Sequence, residues 1–277
     1  MPYSRYPHLV KKLWPVVIVS WIAAYLSYMI LFFVSGYASL YFAYDFDIAA
    51  YFGLSGVIYL TPPEHPDWTF DAVVTVLLSK PLTAFFLGLS SIVALLLIKC
   101  RNTFWFYFFV WMAIWGFNLS LGAVVDDAIF KVGTYAVAEV MNFSLPAIII
   151  SGFVSAYLLY LLGVIIARFY LQYIKGVTFY TEKRRFLAIS LTIVFPWISV
   201  GLLSFSSWIP AISAIELSRF AIAVVIIAPM YFVKESPGAQ QTYSCAKPGW
   251  MDVLSVLPLF FFVVWIILKL FDHIVLG

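Results

Sequence analysis

Apolar residues along this chain come in long runs, and the segments between the runs are short, polar and charged. A membrane-crossing helix needs roughly 20 mostly apolar residues at 1.5 Å of rise each, and about seven runs approach that length. They are Leu13–Ser35, Leu82–Ile98, Phe104–Val125, Phe143–Ala167, Phe186–Ser206, Phe220–Val233 and Val253–Phe271. The sixth is short and carries Pro229, so it is expected to be tilted, kinked or extended back toward Ile212. Lys11 and Lys12 before the first run look like the start of a signal peptide, but the run outlasts an h-region of about 7–15 residues and is read as an uncleaved span. The pattern predicts an all-α fold, a polytopic transmembrane helical bundle forming one domain over residues 1–277.

The charges between the runs alternate in sign, which adds an orientation. With the N-terminus inside, the inner segments hold Arg5, Lys11, Lys12, Lys99, Arg101, Arg168, Lys175, Lys183, Arg184, Arg185, Lys234 and Lys247. Only Lys80, Lys131, Arg219 and Lys269 are left outside, together with most of the acids, from Asp45 to Asp272. Short loops rich in Lys and Arg stay cytoplasmic. The expected topology is therefore N-in and C-out, in a bacterial inner (plasma) membrane. Cys100 and Cys245 both fall on the inner, reducing side, so no disulfide is expected.

Composition agrees with that class. Hydrophobic residues make up 64% and charged residues 10%, against about 45–50% and about 25% in soluble domains. The 20% of aromatics predicts wide interfacial belts and stacked packing. No basic face exists outside the short flanking clusters, which argues against nucleic acid as a partner.

The longest connection, Gly36 to Pro81, is expected on the outer face, and a loop of roughly 45 residues with its own apolar content reads as a packed cap over the bundle. Its Phe46–Leu60 stretch is too short to span; a hairpin, an interfacial helix and a re-entrant segment all fit it. Thr61–Trp68 is a loop by its prolines. On the inner side, Arg168, Lys175, Lys183, Arg184 and Arg185 are expected to meet anionic lipid headgroups, with an acidic partner as the alternative. Gly238–Gly249 is expected to be an exposed loop.

Candidate chemistry is sparse. No predicted span has an ionisable group near its middle, which lowers the case for coupled ion transport and for proton pumping. The histidines, His8, His65 and His273, all lie outside the spans, and no metal-ligand, nucleophile or phosphate-loop motif occurs, so no cofactor is expected. Asn118 is the most deeply placed strongly polar side chain, and with Gly116, Ser120 and Gly122 it makes a small polar helix face. Such a face suits an interhelical hydrogen bond, with a lined cavity or lipid site as the alternative. Asp126, Asp127, Glu139 and Asn142 flank the next turn; solvated helix ends are the ordinary reading, an outer-face cation site the sharper one. Glu64, His65 and Asp67 mix ligand types in a proline-rich loop, and Lys269 beside Asp272 reads as a lysine snorkelling at a span end. Ser151, Gly152, Ser155 and Ala156, with Gly163 further on, form a small-residue helix face for close packing, within the chain or against another subunit.

Phe46–Leu60, then Lys80-Pro81-Leu82-Thr83, then Phe117-Asn118-Leu119-Ser120 ahead of Asp126-Asp127 follow one another over residues 13–130. This order resembles that of the site-2 metalloproteases, in which a β-rich loop, a proline motif and an asparagine motif before a metal-ligand aspartate succeed a zinc-binding helix. The first span reads Ser27-Tyr28-Met29-Ile30 and carries neither His nor Glu, and the loop falls on the opposite side of the membrane from the family's. The resemblance thus implies an inactive relative, and no catalytic residue is carried over from it.

Taken together, the expected function is a non-enzymatic integral membrane subunit that scaffolds or completes a larger assembly. Its expected partners are membrane lipids and other membrane protein subunits. A transporter or lipid-handling protein for a neutral or apolar substrate, built around Asn118 and Pro146, Pro196, Pro229 and Pro258, is the second reading. A membrane enzyme or inactive site-2-protease relative is the third.

Overall fold

The structure, a computed structural model, describes residues 6–53, 56–97, 103–177, 182–206, 214–233 and 249–275. It is an all-α bundle with one small hairpin. Five helices are long and apolar enough to cross a membrane: Leu13–Asp45, Phe70–Leu97, Thr103–Phe130, Leu145–Tyr173 and Arg185–Leu202. The two remaining predicted spans fall on shorter apolar helices, Leu217–Phe232 and Trp250–Trp265. The Gly238–Gly249 loop and both cysteines lie outside the described residues, except for Gly249.

The first helix, α1 (Tyr6–Asp45), has 40 residues and so runs about 60 Å, twice a hydrocarbon core of about 30 Å. It continues past Ser35 because nothing in the next turns breaks it. Asp47 stops it, taking φ 57 while the Ile48 N–H donates back to the Ala43 carbonyl at 2.9 Å. Ile48 packs on Ala43 in a small apolar cluster, the hydrophobic contact that accompanies a left-handed helix stop. At the other side α2 (Phe70–Leu97) begins well before Leu82, with Pro81 inside it. The connection between them is therefore shorter than Gly36–Pro81, covering residues 46–69.

That connection folds as a hairpin, β1 (Ala50–Gly53) antiparallel to β2 (Gly56–Tyr59), paired from Ala50↔Tyr59 to Gly53↔Gly56. The hairpin turns back along α1. Phe52 is 2% exposed and stacks on Tyr37 at 5.3 Å. Its ring occupies the space a side chain at Gly36 would need, since a Cβ there would lie 2.0 Å from Phe52 Cε2. Tyr59 and Ser39 share a hydrogen bond of 2.9 Å, and Ser39 donates to the Val76 carbonyl, tying hairpin, α1 and α2 together. Burial pushes the Tyr59 hydroxyl up from its ordinary pKa, with the Ser39 bond pulling the other way, so it stays a neutral hydrogen-bonding group. Replacing Phe52 with alanine removes a buried aromatic, a change of about 3–5 kcal/mol in well-packed cores. We expect amide exchange to quicken across Ala50–Tyr59 while the helices keep their protection; unchanged exchange in the hairpin would show that Phe52 does not anchor it.

The centre of the bundle is α3 (Thr103–Phe117), apolar on all sides and buried on nearly all of them, as a helix without a polar face must be. Trp111, Trp115, Tyr107, Tyr170 and Tyr173 are fully buried. Trp111 Nε1 donates to Ser20 Oγ at 3.0 Å, Trp115 Nε1 to the Ala24 carbonyl at 3.2 Å, and Tyr173 to Thr103 Oγ1 at 3.0 Å. Glycine sets the closest approach. A Cβ on Gly116 would meet the Ala84 carbonyl oxygen at 2.7 Å and Gly88 at 2.8 Å, so α3 and α2 touch backbone to backbone.

A π turn, Asn118–Gly122, carries α3 into α4 (Ala123–Phe130) without a break in the rod. Then follow α5 (Thr134–Val140) and α6 (Leu145–Val177). The next rod joins α7 (Glu182–Ile189) through a second π turn, Ser190–Val194, to α8 (Phe195–Ser206). The last elements are α9 (Ala214–Ile227), α10 (Pro229–Phe232) and α11 (Trp250–Val275). The small-residue face of α6 is turned into the chain: Gly152 and Ser155 are buried, Ala156 is half-buried and only Ser151 is exposed. Further along, a Cβ on Gly163 would lie 2.4 Å from the Ile226 carbonyl oxygen, so α9 crosses there.

Candidate functional site

The π turn begins at Asn118, which is 2% exposed and whose Nδ2 donates to the Arg219 carbonyl on α9 at 2.9 Å. One turn on, Gly122 leaves room for α9: a Cβ there would lie 2.9 Å from Asn118 Oδ1 and 3.3 Å from Ile222 Cγ2. One turn further stand Asp126 and Asp127, 0% and 3% exposed. The expectation of solvated helix ends is corrected here. The helix does not stop at Val125 but continues to Phe130, and α5, α6 and α9 close around its last turns.

The two carboxylates share one guanidinium unequally. Arg219 Nη2 reaches Asp127 Oδ1 at 3.0 Å in hydrogen-bond geometry, while its Nε stands 3.4 Å from Asp126 Oδ2 and outside that geometry. Asp127 Oδ2 also accepts the Thr134 N–H at 2.8 Å. The loop that brings this N–H in has Lys131 at φ 56 and Gly133 at φ 51, and a Cβ on Gly133 would strike Asp127 Oδ2 at 2.5 Å. Only glycine lets the backbone wrap the carboxylate so closely. Lys80 on α2 adds positive charge felt by Asp127, and its ammonium lies 5.8 Å over the Phe32 ring beside Gly56 of the hairpin.

Other predicted residues stand apart from this cluster. Ser120 donates within its own helix to the Phe117 carbonyl, and Glu139 is exposed on α5. His65 pairs with Asp67 at 2.9 Å on the exposed loop, and among the described residues no group of three or more His, Cys, Asp or Glu could hold a metal ion. Arg168 is exposed, but Arg185 is turned inward, donating to the Met230 and Val233 carbonyls at the end of α10. There the guanidinium satisfies carbonyls that the helix end leaves open. The side chains of Lys175, Lys183, Arg184 and Lys269 lie outside the described residues.

Sequence reasoning missed Arg219. It was counted with the outer loop because it precedes the short sixth run. The signal was available in that run's possible extension toward Ile212, which makes Arg219 the one base of a helix that is apolar from Phe220 onward. Beside the cluster, an apolar crevice of about 210 Å³ opens between α2, α4, α5 and α6, lined by Leu78, Val124, Ala128, Val137 and Ile148, with Thr134 and Ser151 among its few polar groups. Asn118 does not line it. No protein-family model matches the chain, and neither a curated protein nor a solved structure is detectably similar to it.

Proposed function

We propose that the protein is a non-enzymatic integral subunit that completes a larger membrane assembly, with about seven membrane-crossing helices and its N-terminus in the cytoplasm of a bacterial inner membrane. The two shorter apolar helices supply the spans beyond the five long ones, and the basic inner segments support the orientation.

The observation that carries this reading is the outer face of α6. Only 28% of its most apolar window is buried inside the chain. Tyr157 and Tyr160 stand on that face, 61% and 44% exposed, beside Phe153. Tyr157 lies about 18 Å along the axis from Leu145, near the middle of a hydrocarbon layer about 30 Å thick. Among the described residues neither tyrosine hydroxyl meets a hydrogen-bond partner. Lipid tails cannot accept such a bond, and leaving a hydroxyl unpaired in an apolar medium costs at least about 1–3 kcal/mol. A neighbouring helix with a polar side chain at that depth removes the cost, and exposed aromatics are what subunit interfaces favour. The filled aromatic interior speaks against a substrate path through the bundle.

The crevice beside α5 favours a second reading, a lipid-handling protein that seats one apolar chain there. One experiment separates the two. With a photo-crosslinking residue in place of Tyr157 and extraction in native lipid discs, we expect a single protein adduct in fixed stoichiometry. Adducts to lipid alone from a lone monomer would overturn the subunit reading, and a retained lipid lost on enlarging Ala128 would favour the second.

A further inference from the structure

We propose that Asp126 is a proton-binding site, a carboxyl group that holds an exchangeable proton where α4 meets α9.

The argument begins with what is left unpaired. Asp127 takes the well-aligned guanidinium bond and the Thr134 N–H. Asp126, fully buried, has neither oxygen in hydrogen-bond geometry; the Ser218 hydroxyl and Arg219 Nε lie against it but outside that geometry. A second acceptor is unpaired about two turns away on the same rod. Asn118 Oδ1 is buried without a partner, and it lies over Gly122, along the helix in the direction of Asp126. A buried carboxyl group without an aligned donor, nominally charged and next to a second carboxylate, calls for a ligand that brings positive charge or hydrogen.

The chemistry of the site selects which one. A metal ion wants several oxygens and no neighbouring cation, whereas here the guanidinium is 3.4 Å away and among the described residues no third acid joins the group. A water molecule could satisfy Asn118 Oδ1 but would leave the second negative charge beside Asp127 with one guanidinium between them. A proton removes that charge and converts one Asp126 oxygen into a donor, with the Ser218 hydroxyl against it to accept. Binding forms one O–H bond on the carboxylate with a proton supplied by water, and release returns it to water. No electron moves.

Among the described residues, the surroundings of the site hold few competing groups. From α9 come Arg219 and Ser218; from α2 comes Lys80, acting on Asp127. Tyr135 and Glu139 are the titratable groups of α5, and Glu139 is exposed. The stretch of α6 from Leu145 to Ala167 carries no acid or base, and its Tyr157 and Tyr160 are turned outward. The side chain of Glu216 on α9 lies outside the described residues.

The test is infrared spectroscopy of the full chain in lipid nanodiscs at neutral pH, in light and heavy water. We expect a protonated-carboxyl C=O band that shifts in heavy water, disappears in Asp126→Asn and persists in Asp127→Asn. Should Asp126→Asn not accumulate, Asp126→Glu serves, and the band should move to the position of a glutamic acid. No such band in the wild-type protein, a band unchanged in either Asp126 variant, or one lost only in Asp127→Asn would overturn the assignment. None of these outcomes depends on whether α6 has a protein partner.

Discussion

Replacing Arg219 with glutamine is expected to cost about 3–5 kcal/mol of stability, because it strands the buried Asp127 carboxylate without its cation. The arginine is well placed to have so large an effect. Its guanidinium bonds Asp127 at 3.0 Å and stands 3.4 Å from Asp126, while its carbonyl accepts from Asn118. Without it Asp127 keeps its bonds from Thr134 and the charge of Lys80. The loss should appear as a lower melting temperature in mild detergent. A double variant with Asp127→Asn should recover much of it, since taking away both partners leaves no charge stranded. Pairing with Asp126→Asn should recover less, as the shorter and better aligned contact is to Asp127. A change of under about 1 kcal/mol, the range of exposed ion pairs, would mean that water reaches this cluster.

Gly116→Val is expected to be comparably damaging for a purely steric reason. The atoms a Cβ would meet, at 2.7 and 2.8 Å, belong to the α2 backbone and cannot swing aside as a side chain can. The two helices would have to separate along their whole contact, at the upper end of the about 1–3 kcal/mol typical of overpacking or beyond it. Gly152→Ala makes the matched control, for its nearest neighbour would be Ala128 Cβ at 3.7 Å, an ordinary contact. Folded yield and melting temperature should fall for the first and stay level for the second. Equal behaviour of the two would contradict the tight crossing.

The helices were legible because lipid-compatible helices are apolar over their whole length, and each predicted run falls on one. Their ends were not. Tyr37, Tyr41 and Tyr44 continue α1 although they break the apolar run, since helix formation needs only the absence of a stop, and the stop is the left-handed Asp47. Pro81 was read as the edge of a helix and sits inside one, where the rest of α2 carries it. Asn118 could be singled out from sequence as a buried polar group, because its neighbours on both sides are apolar. The burial of Asp126 and Asp127 could not, since it depends on α9 lying across Gly122. That crossing is a tertiary fact with no local signature. The hairpin was one of several readings of Phe46–Leu60; pairing between two four-residue strands is decided by Phe52 docking on α1, again a contact distant in sequence.

The widened turn at Asn118–Gly122 has a geometric effect on everything after it. One residue added to a rod with 3.6 per turn rotates the downstream portion by about 100° relative to an unbroken helix. The aromatic half from Thr103 to Phe117 and the acidic tip from Ala123 to Phe130 are therefore phased separately, each facing its own neighbours. The turn works as a swivel that sets the heading of Asp126 and Asp127 without disturbing the tryptophans beneath them.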